Sequence, residues 1–202
     1  MSLESVAALR RALAGSPPTA EAHARLGTAL LRTGAAGEAE RELRAAIALD
    51  PACAGAWVNL GGILLARWEF GEAIEANRMA AAADPTLALA HFNQAIGHLH
   101  LGDPARAVEC LGRAVELEPR SGGAYHHLAI ALHALGRPAE ARLCAAYADE
   151  LGYRPGPVSA EALRVAAAAS GADGAPAVER HEEAPPSTHA QGEGHVGTAQ
   201  GR

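Results

Sequence analysis

Four prolines set the strongest constraint on this chain. Pro17, Pro51, Pro85 and Pro119 stand 34 residues apart, with no insertion between them. Three follow an acid, in Asp50-Pro51, Asp84-Pro85 and Glu118-Pro119. Alanines keep the same step at Ala39, Ala73, Ala107 and Ala141, and again at Ala46, Ala80, Ala114 and Ala148. A fourth line runs through Leu30, Leu64, His98 and Leu132. A period of this length means a stack of like units, each burying one face against the next.

Within a unit the apolar spacing is helical twice over. His23, Leu26 and Leu30 mark a first helix, and Ala39, Leu43, Ala46 and Ile47 a second. Gly34, Gly102 and Gly136 fall where the first helix must stop, and glycine accepts the left-handed cap conformation there. Proline ends the second helix, because it lacks an N–H and clashes with the preceding turn. Asp103-Pro104 reads as an N-cap followed by a first-turn proline. Gly27, Gly61, Ala95 and Ala129 are small enough to let paired helices approach closely.

The order Trp57, Leu60, Gly61, Leu64, Ala73, Ala80 and Pro85 resembles the tetratricopeptide repeat, a 34-residue helix–turn–helix. The resemblance implies an all-α, right-handed solenoid of four repeats, at 20–53, 54–87, 88–121 and 122–155. A half repeat would precede them over 1–19. A capping helix is expected over 156–169, with Ser159 as N-cap. The 170–202 tail shifts to Gly, Ala, Pro, Glu, His and Gln, loses apolar periodicity, and is expected to be disordered. Three departures stand out. Repeat three carries Gln94-Ala95 for Leu-Gly, repeat four reaches its proline two residues late at Pro155, and repeat two puts Trp68 where the turn glycine belongs. With Gly71 three residues on, an altered turn is expected there.

Composition narrows the function. The chain has 23 acidic and 17 basic side chains, all the latter arginine, and a net charge of −6. That balance argues against general nucleic-acid binding, whose footprint is a basic patch. No stretch approaches the ~20 apolar residues of a membrane span, and Glu4 with Arg10-Arg11 interrupts any secretory signal. A cytoplasmic protein is expected, and the alanine- and arginine-rich usage is that of a GC-rich bacterial genome. Three cysteines are too few for a disulfide framework. Cys110 and Cys144 read as inert thiols on successive second helices, and no phosphate loop or nucleophile elbow is visible. An enzyme is therefore not expected, nor a cofactor. The ten histidines contain no HExxH pattern. His100, His127 and His133 could approach one another on the inner face, but no metal site is assigned, and pH sensing is the simpler reading. His23 and His91 take the packing position of Trp57 and are expected inside.

In the resembling family, first helices line a concave groove, and the repeat positions that contact ligands map onto specific residues here. They are Arg25, Thr28 and Arg32 in repeat one and Val58 and Asn59 in repeat two. Repeat three supplies Phe92, Asn93, Ile96 and His100, and repeat four His126, His127 and Ile130. Asn59 and Asn93 carry amides that can pair with both groups of an extended backbone, similar to the asparagine ladder of O-linked N-acetylglucosamine transferases. Val58, Phe92, Ile96 and Ile130 would supply an apolar floor, and Arg25 and Arg32 could meet a carboxylate. The family's carboxylate clamp for chaperone tails needs lysines, and this chain has none. The function expected is a scaffold or adaptor holding a protein or peptide partner in the groove. Self-assembly into a homo-oligomer, or service as an accessory subunit of a transferase on another chain, are the rivals. Trp68 and Phe70 read either as a local plug or as an exposed anchor.

Overall fold

The structure is a computed structural model that describes residues 5–15 and 17–154. The expected capping helix at 156–169 and the tail at 170–202 lie outside the described residues. Among the described residues the chain is an all-α solenoid, with nine α-helices and no strand. They are α1 (Val6–Gly15), α2 (Ala20–Arg32), α3 (Ala36–Leu49), α4 (Ala54–Ala66), α5 (Phe70–Ala83), α6 (Ala88–His100), α7 (Pro104–Leu117), α8 (Gly122–Ala134) and α9 (Pro138–Glu150).

Helix ends follow local chemistry. Thr19 caps α2 by accepting from the Ala22 amide at 3.2 Å, and Asp103 caps α7 by accepting from the Arg106 amide at 3.1 Å. The second helices α3, α5 and α7 stop at Asp50, Asp84 and Glu118, each followed by its proline. Gly34, Gly102 and Gly136 end the first helices with φ of 79°, 75° and 72°. The turn after α4 is not altered in length, contrary to expectation. Trp68 itself takes the left-handed conformation, at φ 65°.

Helices α2 and α3, α4 and α5, α6 and α7, and α8 and α9 pack as pairs, and α2, α4, α6 and α8 meet one another along one layer. The alanine lines of the sequence are the seams of these pairs. Ala39, Ala46, Ala73, Ala80, Ala107 and Ala114 are all fully or almost fully buried. Gly27 is needed for close approach, since a Cβ there would lie 2.8 Å from Leu43 Cγ. Val6, Leu9 and Leu13 of α1 lean on the first core cluster, and Arg10 pairs with Glu38 of α3. Glu40 of α3 bridges Arg44 and Arg67, at 3.0 and 2.6 Å, and so ties repeat one to the end of α4.

Candidate partner-binding groove

The layer of first helices leaves an open cleft of about 380 Å³ against α2, α4 and α6. Its floor is apolar, made by Leu31, Val58, Ile63, Ala66 and Leu89, and Gly62 leaves bare backbone in the middle. Nothing lies within 4 Å of where a Gly62 side chain would begin. Asn59, Asn93 and Arg67 supply the polar groups. A second, smaller cleft of about 150 Å³ opens between α6, α7 and α8, lined by Leu89 and Phe92. An apolar floor with few directed polar groups is the usual makeup of a binding cleft.

The structure places the predicted residues unequally. Asn59 and Val58 line the main cleft, and Asn59 Nδ2 donates to Thr28 Oγ1 across the α2–α4 seam at 2.9 Å. Thr28 in turn donates to the Ala24 carbonyl at 2.8 Å. Arg25, Thr28 and Arg32 are exposed on α2, and Ile96 and Ile130 are half-buried on α6 and α8. Phe92 meets His127 edge to face at 5.3 Å. His100 stacks on Phe70 at 4.4 Å.

Two of the predicted residues differ from expectation. Asn93 touches the cleft but is only 8% exposed, and its Nδ2 donates to Oδ1 of Asn77 at 3.1 Å. One of its amide hydrogens serves the buried Asn77, and burial rather than that bond sets it apart from Asn59. Asn77 is fully buried, and its own Nδ2 donates to the Ala73 carbonyl at 2.8 Å. Sequence reasoning missed Asn77, although a signal existed. In the 34-residue register it takes the place of Leu43 and Leu111, both fully buried. His126 is the other correction, at 2% exposure. Gly122 and Gly123 leave room for Tyr153 to lie over the start of α8; a Cβ at Gly122 would meet Tyr153 Cβ at 2.6 Å. Tyr153 thereby covers the His126 ring, with centroids 5.2 Å apart.

Histidine chemistry follows from burial. Among the described residues the His126 Nε2 has no hydrogen-bond partner, and burial, then the neighbouring His127, push its pKa below the ordinary imidazole range, against a smaller pull from Asp149. His127 donates from Nδ1 to the Gly123 carbonyl at 2.8 Å. Its pKa is lowered by burial, partly offset by that bond, with His100 lowering it further. His91 is lowered chiefly by burial, and its Nε2 has no partner among the described residues. His23 donates to Glu42 at 2.7 Å, and Trp57 Nε1 donates to the Pro51 carbonyl at 2.9 Å. Burial raises the Cys110 and Cys144 thiols, which disfavours the reactive thiolate. Among the described residues no group of three or more His, Cys, Asp or Glu side chains is placed to hold a metal ion. No described helix is long and apolar enough to cross a membrane.

Comparison with known proteins places this architecture. The family model of the tetratricopeptide repeat matches residues 25–88 and 92–160. A crystal structure of MamA superposes with a TM-score of 0.66 at 24% identity, covering 73% of this chain and 86% of that one. MamA from Desulfovibrio magneticus RS-1 gives a TM-score of 0.65 at 20% identity, over 73% of this chain and 83% of that one. At such identities the likeness is one of fold. No curated protein matches the chain.

Proposed function

The chain belongs to the tetratricopeptide repeat family, and on that premise we propose that it is a non-enzymatic interaction scaffold. Its α2–α4–α6 groove holds an extended segment of a protein partner. The observation that carries this reading is the cleft itself: an apolar floor open to solvent, with the Asn59 amide on its wall and Gly62 backbone bare at its base. A side chain there would close the cleft, and the fold does not need that space.

The partner's apolar side chains would sit over Val58, Ile63 and Leu89. Its main chain would pair with the Asn59 carbonyl oxygen, which is free to accept while Nδ2 is donated to Thr28. Arg67 at the rim is held by Glu40 at 2.6 Å, so it offers only its remaining donors to an acidic group. Self-association through the same groove is the alternative, and sedimentation of the wild type and Gly62→Leu over a range of concentrations separates it.

The test is selection of a displayed random peptide library on the wild-type protein, with counter-selection on Gly62→Leu. A leucine here starts in open space, with nothing within 4 Å of its Cβ, and its branched end reaches into the cleft. The reading requires peptides that bind the wild type and lose at least about tenfold affinity for Gly62→Leu, equivalent to ~1.4 kcal/mol. Peptides that bind both alike would refute it. The double substitution of Asn59 and Asn93 is a poorer test, because Asn93 also holds Asn77.

A further inference from the structure

The turn between α4 and α5 carries a feature the groove does not use. In four turns of this solenoid the left-handed residue is glycine: Gly34, Gly102, Gly136 and Gly152. In this one it is Trp68, at φ 65°, a conformation that strains any residue with a Cβ. The strain is not offset by burial, for Trp68 is 72% exposed. Strained residues of this kind concentrate where they serve a function.

The surroundings organise the exposed ring. Phe70 and His100 stack face to face, with centroids 4.4 Å apart and planes 3° from parallel. Trp68 stands edge-on to both, at 5.7 and 5.5 Å. The three rings join the α4–α5 turn to the end of α6. Charge at the turn is one-sided. Glu69 and Glu72 are exposed and carry no ion pair among the described residues, whereas the adjacent cation, Arg67, is taken by Glu40 at 2.6 Å. On the α6–α7 turn, Asp103 and Arg106 pair with each other at 3.5 Å. An indole face with two uncommitted carboxylates beside it in sequence attracts a cation, and guanidinium stacks on indole best.

We propose that Trp68, Phe70, His100, Glu69 and Glu72 form a second docking site, for a partner segment that presents an arginine side chain. The guanidinium lies on the Trp68 face, and Glu69 or Glu72 neutralises it. Trp68 does not line the groove, so this site works independently of the groove reading.

The probe is the blocked pentapeptide Ala-Leu-Arg-Leu-Ala, compared with the same peptide carrying citrulline, which keeps the shape and removes the charge. The readout is the indole N–H signal of Trp68 in a ¹⁵N-labelled full chain, assigned by its loss in Trp68→Gly. Trp57 is an internal reference, since its indole N–H is bound to the Pro51 carbonyl. The arginine peptide should shift the Trp68 signal saturably and bind about two- to fivefold tighter than the citrulline peptide. The Glu69→Gln, Glu72→Gln variant, which keeps the side-chain shape and removes the charge, should erase most of that difference. Equal affinity for the two peptides, or a Trp68 signal that no arginine peptide moves, overturns the proposal. A shift that grows with protein concentration in the absence of peptide also overturns it, in favour of a second copy as occupant.

Discussion

Gly61 and Gly62 are neighbours on α4 with opposite surroundings, and that contrast makes a sharp prediction. A Cβ at Gly61 would stand 2.0 Å from Nδ2 and 2.7 Å from Cγ of Asn77. Ordinary contact is about 3.5 Å, so the Asn77 amide would have to retreat by roughly 1.5 Å. It is held at both ends, donating to Ala73 at 2.8 Å and accepting from Asn93 at 3.1 Å. Overpacking costs about 1–3 kcal/mol, and stranding the buried amide adds about 1–3 kcal/mol. Better helix propensity returns about 1 kcal/mol. Gly61→Ala should therefore destabilise by about 1–5 kcal/mol. Gly62→Ala meets nothing within 4 Å and should stabilise by up to about 1 kcal/mol. Guanidinium unfolding followed by far-UV circular dichroism compares the two in one buffer. Adding Asn77→Ala to Gly61→Ala should recover at least about 1 kcal/mol as a coupling energy. If the two alanine variants unfold within about 0.5 kcal/mol of each other, the packing account of the α4–α5 pair is refuted.

Three other outcomes follow from the same structure. Trp68→Gly should be about 1–2 kcal/mol more stable than Trp68→Ala in the same unfolding assay, because both lose the rings and only alanine keeps the left-handed strain; equal stability would mean the turn is unstrained. His91, His98, His126 and His127 all have pKa values lowered chiefly by burial, so the unfolded chain takes protons that the folded chain refuses. Stability should be full above the ordinary imidazole value of about 6.5 and fall as pH drops below it toward the lowered folded values; His126→Leu should flatten that slope in unfolding midpoints measured from pH 7.5 to 5, and an unchanged slope would show that His126 titrates normally. Burial works to raise the pKa of Glu40, but hydrogen bonds from Arg67 and Arg44 outweigh it and leave it lowered; Glu40→Gln should cost up to about 1 kcal/mol at neutral pH, with the loss shrinking in high salt.

The repeat made the fold legible. A fixed step in Pro, Ala and Gly states where each helix stops and which face is seam, and the helix ends at Asp50, Asp84 and Glu118 follow from it. The groove was legible only in outline. Family positions point to Asn59 and Val58, which do line the cleft, but a position does not say which residue a neighbour has claimed. Asn93 is claimed by Asn77, a polar residue in a leucine column, and His126 by Tyr153, which reaches it because two glycines open the start of α8. Leu31 and Leu89 also stand at family contact positions and join the floor, although the sequence reading did not single them out. Such couplings are tertiary, and the periodicity that reveals the stack averages over them. Trp68 was visible as a broken turn, but its unchanged turn length follows from backbone strain that no sequence pattern states.

The central claim is that partners enter through the α2–α4–α6 groove. A photo-reactive benzoylphenylalanine at Asn59, on the wall of the cleft, tests it against the same probe at Arg113, exposed on α7. Irradiation in a lysate of the source cells should give a discrete adduct from position 59 and none of the same mass from position 113, and Gly62→Leu should abolish it. The same adduct from both positions, or one that survives Gly62→Leu, would contradict the groove as the binding surface.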